Sequence, residues 1–198
     1  MTYIPPTTFT QEMHDMSWKR AFPMATVVAV ATIAFTMRSA TATVVPAHSL
    51  DDATIVAIFD AANTSDIETG ELAAKMGSTK TIRDFGSMLA RDHKTVRQQG
   101  RDLAKKLGVT PTPPKDDDSG KQHAMIMKKL RGLSGAEFDK AFLENEVGYH
   151  DAVIAAVQKT LLPAIQNAEL KDLVTKVAPA FVAHRDAAKN LLDKKVSD

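Results

Sequence analysis

Three of the six histidines in this 198-residue chain, His93, His150 and His184, fall on the apolar stripes of helical sequence patterns. In "SMLARDHKTV", residues 87–96, Met88, Leu89 and Val96 mark the face on which His93 sits. An imidazole placed among apolar side chains is costly unless it finds a polar partner. One such partner is a metal ion. Neutral imidazole suits Zn, Cu, Fe or Ni, and a carboxylate widens the choice toward Fe and Mn. Glu146 lies one helical turn before His150 and shares its face. Glu68 and Glu71 lie in the later half of an earlier helical pattern. The candidate metal set is therefore His93, His150, His184, Glu68 and Glu146, and no residue is assigned a catalytic role. The competing partner is a hydrogen bond from a carboxylate, a backbone carbonyl or ordered water, which is the commoner fate of buried polar groups.

These residues need elements to position them. From Asp51 onward the pattern has helical period almost throughout, and the alternation of a strand is absent. A first helix begins at Asp51 or Asp52 and runs to about Met76, with Ile55, Ile58, Phe59, Ala62, Leu72 and Met76 on its apolar face. Gly77-Ser78 turns the chain back. The second helix spans about Thr79 to Leu107, with Ile82, Phe85, Leu89, His93, Val96, Leu103 and Leu107 inward, and Gly108 ends it. "GVTPTPPKDDDSG", residues 108–120, is a linker rich in Pro and Asp. A short helix covers about Lys121 to Arg131. Ser134 and Glu137 stand at capping-box spacing before a third long helix that reaches about Thr160. Pro163 starts a fourth, in which Pro179 predicts a kink or a split.

The resulting expectation is all-α: an antiparallel four-helix bundle, residues 52–194, with a short extra helix before the third long one. A helix rises about 1.5 Å per residue, which puts His93 near the middle of its helix and His150 and His184 past the middle of theirs. In an antiparallel bundle these heights coincide, and the three imidazoles with a carboxylate meet in one layer.

The N-terminus reads as an export signal. Lys19 and Arg20 precede an apolar run from Ala21 to Met37, and Ala40-Thr41-Ala42 fits an A-x-A cleavage pattern. Residues 1–42 are expected to be removed, 43–51 to be a flexible segment, and the mature chain to lie in the periplasm or cell envelope. Removing the signal takes 25 basic and 24 acidic residues to 22 of each. A neutral domain offers no electrostatic reason to bind nucleic acid, and no integral membrane segment remains. An envelope protein or a second copy of the chain is the expected class of partner. The chain has no cysteine, which excludes disulfides, thiolate metal sites and a cysteine nucleophile.

Three segments carry a family resemblance: "ELAAKMGSTKTIRDFGSMLARDH", "LSGAEFDKAFLENEVGYHDAV" and "VAPAFVAHRDAAKNLL". Together they resemble a ferritin-like family of exported bacterial proteins commonly labelled outer-membrane proteins of unknown function. The matching features are Asp92-His93, the segment from Ser134 to Asp139, His150, and the spacing of Pro179 and His184. The resemblance spans about Asp52 to Leu192 and implies a ferritin-like bundle and an envelope location, without a known activity. The label does not imply a barrel, since nothing alternates as barrel strands do.

The Glu-x-x-His motif of di-iron bundles is absent, because Ala90, Val147 and Phe181 occupy the positions three before the histidines. A standard ferroxidase is disfavoured. Three functional readings stand: a binding protein holding a transition metal (Zn, Cu, Fe or Mn), a metal-free structural or stress-related module with a hydrogen-bonded polar layer, and an unusual metal-dependent oxidase. The remaining features read blandly. His123 belongs at the surface, the methionines of the mature chain are core filler, and Tyr149 points about 100° from His150 around its helix.

Overall fold

The structure, a computed structural model, describes residues 50–197; the expected signal and most of the flexible segment lie outside them. The described residues are helical, with no strand among them. Four long helices are α1 (Asp52–Met76), α2 (Lys80–Leu107), α4 (Gly135–Ala156) and α6 (Ala168–Ser197). A shorter helix, α3 (Ser119–Arg131), occupies the crossover between α2 and α4, and α5 (Leu162–Ala164) is a single turn before α6. None of these helices is long and apolar enough to cross a membrane.

Local chemistry sets most of the ends. The Asp51 carboxylate accepts from the Thr54 N–H at 2.7 Å, satisfying an orphan donor of the first turn of α1. Thr79 caps α2 through its hydroxyl, and Gly108 closes α2 in the left-handed region at φ 66°. Asp139, fully buried, accepts from the Ser78 N–H at 2.9 Å and from the Ser78 hydroxyl, pinning the α1–α2 turn to α4.

One expected cap is missing and two expected boundaries move. Ser134 stands at the N-cap of α4 but makes no side-chain cap bond, so the capping-box reading fails there. The third long helix ends at Ala156 and passes through one π-helical turn, Val157–Leu161. The fourth begins at Ala168 rather than Pro163: the Asn167 side chain accepts from Leu170 N at 3.1 Å, while the Asp52 carboxylate takes the N–H groups of Gln166 and Asn167. Pro163 lies in the one-turn α5 instead. Pro179 sits inside a continuous α6, so the helix is not split. Leu50, expected to be flexible, packs against the first apolar cluster of the core.

α1 lies chiefly against α2, and α4 against α6; α1 also meets α4, and α2 meets α6. The interior contains two apolar clusters. One holds Ile55, Val56 and Phe59 of α1, Ala104 of α2, Val157 and Leu161 after α4, and Leu170, Val174, Val177 and Phe181 of α6. The other holds Ala73 of α1, Ile82, Phe85 and Leu89 of α2, Leu130 of α3, Phe138, Phe142 and Leu143 of α4, and Ala188 of α6. The order in which each helix passes the clusters gives its direction. α1 and α6 run from the first cluster to the second, and α2 and α4 run the other way. Every packed pair of long helices is therefore antiparallel, and the chain crosses from α2 to the parallel α4 through α3.

The α1–α2 contact is tight at two glycines. A Cβ on Gly70 would lie 2.7 Å from the Gly86 carbonyl oxygen, and one on Gly86 would lie 2.6 Å from that of Gly70. Only hydrogen at both positions lets the backbones approach this near.

Candidate metal centre

Each helix passes from one apolar cluster to the other through a polar stretch, and the four stretches meet. α1 contributes Asn63 and Asp66, α2 contributes His93, α4 contributes Glu146 and His150, and α6 contributes His184, all of them buried. His93, His150 and His184 each offer one ring nitrogen within 4.8 Å of those of the other two. The ring centroids are 5.0 to 5.7 Å apart, and Phe181 stacks on His93 at 5.8 Å.

The hydrogen bonds assign the tautomers. Asn63 Nδ2 donates to the Phe59 carbonyl at 2.8 Å, so its Oδ1 is turned to accept from His93 Nδ1 at 2.9 Å. His150 Nδ1 lies 3.0 Å from the Glu146 carbonyl oxygen, which can only accept, so Nδ1 carries the hydrogen. His184 Nε2 lies 3.3 Å from the Asp92 carboxylate, an acceptor again. With one hydrogen per neutral ring, the remaining nitrogens are lone pairs: His93 Nε2, His150 Nε2 and His184 Nδ1. The first and third are 3.2 Å apart, and His150 Nε2 is buried without any hydrogen-bond partner.

Such an arrangement could hold a metal ion. Metal-bound histidines donate their other ring N–H to a carboxylate or carbonyl, which fixes the ring and raises its basicity. Tetrahedral zinc, with Zn–N bonds of about 2.0–2.1 Å, separates two nitrogens by roughly 3.3 Å. The His93–His184 pair already stands near that spacing.

Charge reinforces the lone pairs. Burial lowers the His93 pKa to about 2 and the His150 pKa to about 4, the neighbouring rings adding to the effect. Burial lowers His184 as well, against the opposing pull of Asp92. All three rings are held neutral, the form that binds a metal. On the outer side of the layer, Asp66 lies 3.5 Å from His93 Nδ1 and 4.0 Å from His150 Nδ1, and Glu146 Oε2 lies 3.6 Å from His150 Nδ1. Burial and the adjacent Glu146 push the Asp66 carboxyl well above its usual range. Burial raises Glu146 to about 7, with hydrogen bonds from Thr69 and Asn145 opposing. A second group with metal-holding geometry consists of Asp66, Glu146 and His150.

The sequence expectation included Glu68, and the structure puts it elsewhere. Its carboxylate bonds His123 Nε2 at 2.8 Å on the flank between α1 and α3, and Glu71 pairs with Lys94. His123 is accordingly half-buried, not a free surface ring. Asp66 and Asn63 occupy the place expected of Glu68. Both belong to a seam of α1, residues 56, 59, 63, 66, 70 and 73, spaced three and four apart and all buried in the structure. Tyr149 does approach His150, its ring centroid at 6.3 Å, and its hydroxyl donates to the Ala62 carbonyl. Burial raises its pKa, keeping the phenol protonated.

A search of the curated proteins gives no match for this chain, and a search of the solved structures gives none either. A family model does match: the one described as Domain of unknown function (DUF4142) covers residues 37–191 and with them every residue of the polar layer, so the chain belongs to that family.

Proposed function

We propose that this protein is an exported, ferritin-like four-helix bundle whose role is to bind one divalent transition-metal ion, among Zn, Cu, Fe and Mn, through His93, His150 and His184. The single observation that carries the reading is the orientation of the rings. Each ring commits one nitrogen to an acceptor, the three rings each offer one nitrogen within 4.8 Å of the others, and His150 Nε2 is buried with no partner. Asn63, the Glu146 carbonyl and Asp92 hold the three rings, and Asp66 and Glu146 supply carboxylates beside them. The antiparallel directions of the four long helices and the single long crossover support the ferritin-like form. The apolar run and A-x-A site support export to the periplasm or envelope, where an envelope protein or second copy remains the expected partner class.

A second reading, a metal-free polar layer, draws support from one contact. A hydrogen shared between His93 Nε2 and His184 Nδ1 at 3.2 Å would satisfy those two nitrogens. It leaves His150 Nε2 unsatisfied, which is why the metal reading is preferred. Elemental analysis decides between them. The chain is stripped with chelator, loaded in turn with Zn²⁺, Co²⁺, Mn²⁺, Cu²⁺ and Fe²⁺ and desalted. One equivalent of metal, lost in the His93→Ala/His184→Ala double variant, is the expected result. Metal-free protein after every loading would overturn the proposal.

A further inference from the structure

The three-histidine layer is closed on nearly every side by buried groups: Asn63 and Asp66 of α1, Glu146 of α4 and Phe181 of α6. His93 and His150 are each 1% exposed. Of the groups bonded directly to the rings, Asp92 is the one that reaches water, its side chain 34% exposed. It bonds His184, the least buried of the three rings. Its second oxygen, Oδ1, is held by the exposed Arg91, with Nη2 at 2.9 Å and Nε at 3.0 Å. On the other side of His184 in sequence, Arg185 is occupied by Asp151 and Asp186 and does not engage Asp92.

We infer that Asp92 is the entry port of the proposed metal site: a divalent cation is captured at the Asp92 carboxylate, at the edge between α2 and α6, and is passed inward to His184, with Arg91 competing for the same carboxylate. The inference rests on the metal reading. It assigns to Asp92 a kinetic role beyond holding the His184 ring. A charge at a rim steers association and acts on the on-rate, whereas a group that fixes a bound ligand acts on the off-rate. Asn at position 92 keeps an oxygen that can accept from His184 Nε2 and removes only the charge.

The test is stopped-flow uptake of Co²⁺ by the metal-free full chain, followed by the cobalt absorption, with dissociation measured by chelator chase. In Asp92→Asn the association rate is expected to fall by about tenfold at low salt, with its dependence on ionic strength flattened, while the dissociation rate changes by less than about threefold. In Arg91→Ala, which removes the competing guanidinium and touches none of the three rings, association is expected to speed up by about threefold. Helical circular dichroism of both variants checks folding. Unchanged association rates in both variants, or an effect of Asp92→Asn confined to dissociation, would overturn the port and leave the metal site standing. A wild-type chain that takes up no Co²⁺ would remove both.

Discussion

The two apolar clusters and the polar layer between them are built chiefly on the same four long helices, yet they obey different rules. In the cluster of Phe85, Leu89, Phe138 and Phe142, stability comes from burying area, and any side chain of suitable volume serves nearly as well. In the layer of His93, His150, His184, Asp66 and Glu146, burial is unfavourable for each group alone, and only its partners make the position tolerable. A helical domain can thus contain a region optimised for folding and a region that folding must carry. Chemistry is expected in the second, because there a ligand can satisfy atoms that the protein leaves unsatisfied.

The largest effect that would sharpen this contrast belongs to the apolar side. Phe142 is fully buried against Phe85 and Phe138. Phe142→Ala should cost about 3–5 kcal/mol in urea unfolding, with or without metal. A loss that shrinks when metal is added would show that the two regions are not separate.

Acid should expose the polar side. Unfolded histidines take up protons below pH 6.5, whereas the folded rings resist until about 4 for His150 and about 2 for His93, so their contribution is complete above 6.5 and is lost as pH falls. Glu146 acts oppositely. It keeps its proton in the fold up to about pH 7, so its contribution is present at low pH and is lost as pH rises through that value. Asp66, whose carboxyl is also held above its usual range by burial and Glu146, sides with Glu146, so the acids and the histidines oppose one another down to the ordinary carboxylate range and leave the histidines alone beneath it. Metal-free protein should lose stability gently to pH 4.5 and steeply beneath it, on the order of several kcal/mol by pH 3. Glu146→Gln should begin its decline already near pH 6.5; superimposable pH profiles of variant and parent would contradict the assigned balance.

Metal should stabilise the parent through the layer alone. At a free concentration of 100 times Kd the gain is about 2.7 kcal/mol, or roughly 5–10 °C in the thermal midpoint of a domain this size. His93→Leu should abolish that gain while leaving the metal-free midpoint unchanged or raised, since leucine removes a buried polar group. A midpoint that responds equally to metal in His93→Leu would place the ion elsewhere.

The smallest effect lies on the surface, outside both regions. Lys80 and Asp84 form an i,i+4 pair with side chains 82% and 62% exposed. Lys80→Ala should shift the urea midpoint by less than about 0.5 kcal/mol equivalent; a larger loss would mean that the α2 terminus is coupled to the buried Ser78–Asp139 contact.

Much of this architecture was legible from local pattern. The turn at Gly77, the stop at Gly108 and the stripe from Ile82 to His93 follow from helical period and backbone freedom, which are properties of neighbouring residues. The inward positions of His93, His150 and His184 follow in the same way. The identity of the carboxylate did not. α1 packs against α2, α3 and α4, so its polar positions have no single solvent face to declare them, and Glu68 and Asp66 were equally placed until packing chose between them. The start of α6 was likewise hidden, because the group that receives the Gln166 and Asn167 N–H donors is Asp52, more than a hundred residues earlier.

Sequence alone therefore determined that the chain would be helical, that its helices would be joined by a tight turn and one long crossover, and that three of them would turn a histidine inward. Tertiary structure alone decided which nitrogen of each ring is committed and which is bare, that Asp66 rather than Glu68 stands beside them, and that Asp92 alone among their partners reaches water. The physical reason is one of range. Periodicity and capping act over a few residues along the chain, whereas hydrogen-bond partnership, desolvation and access depend on which distant segments are brought within about 3–4 Å.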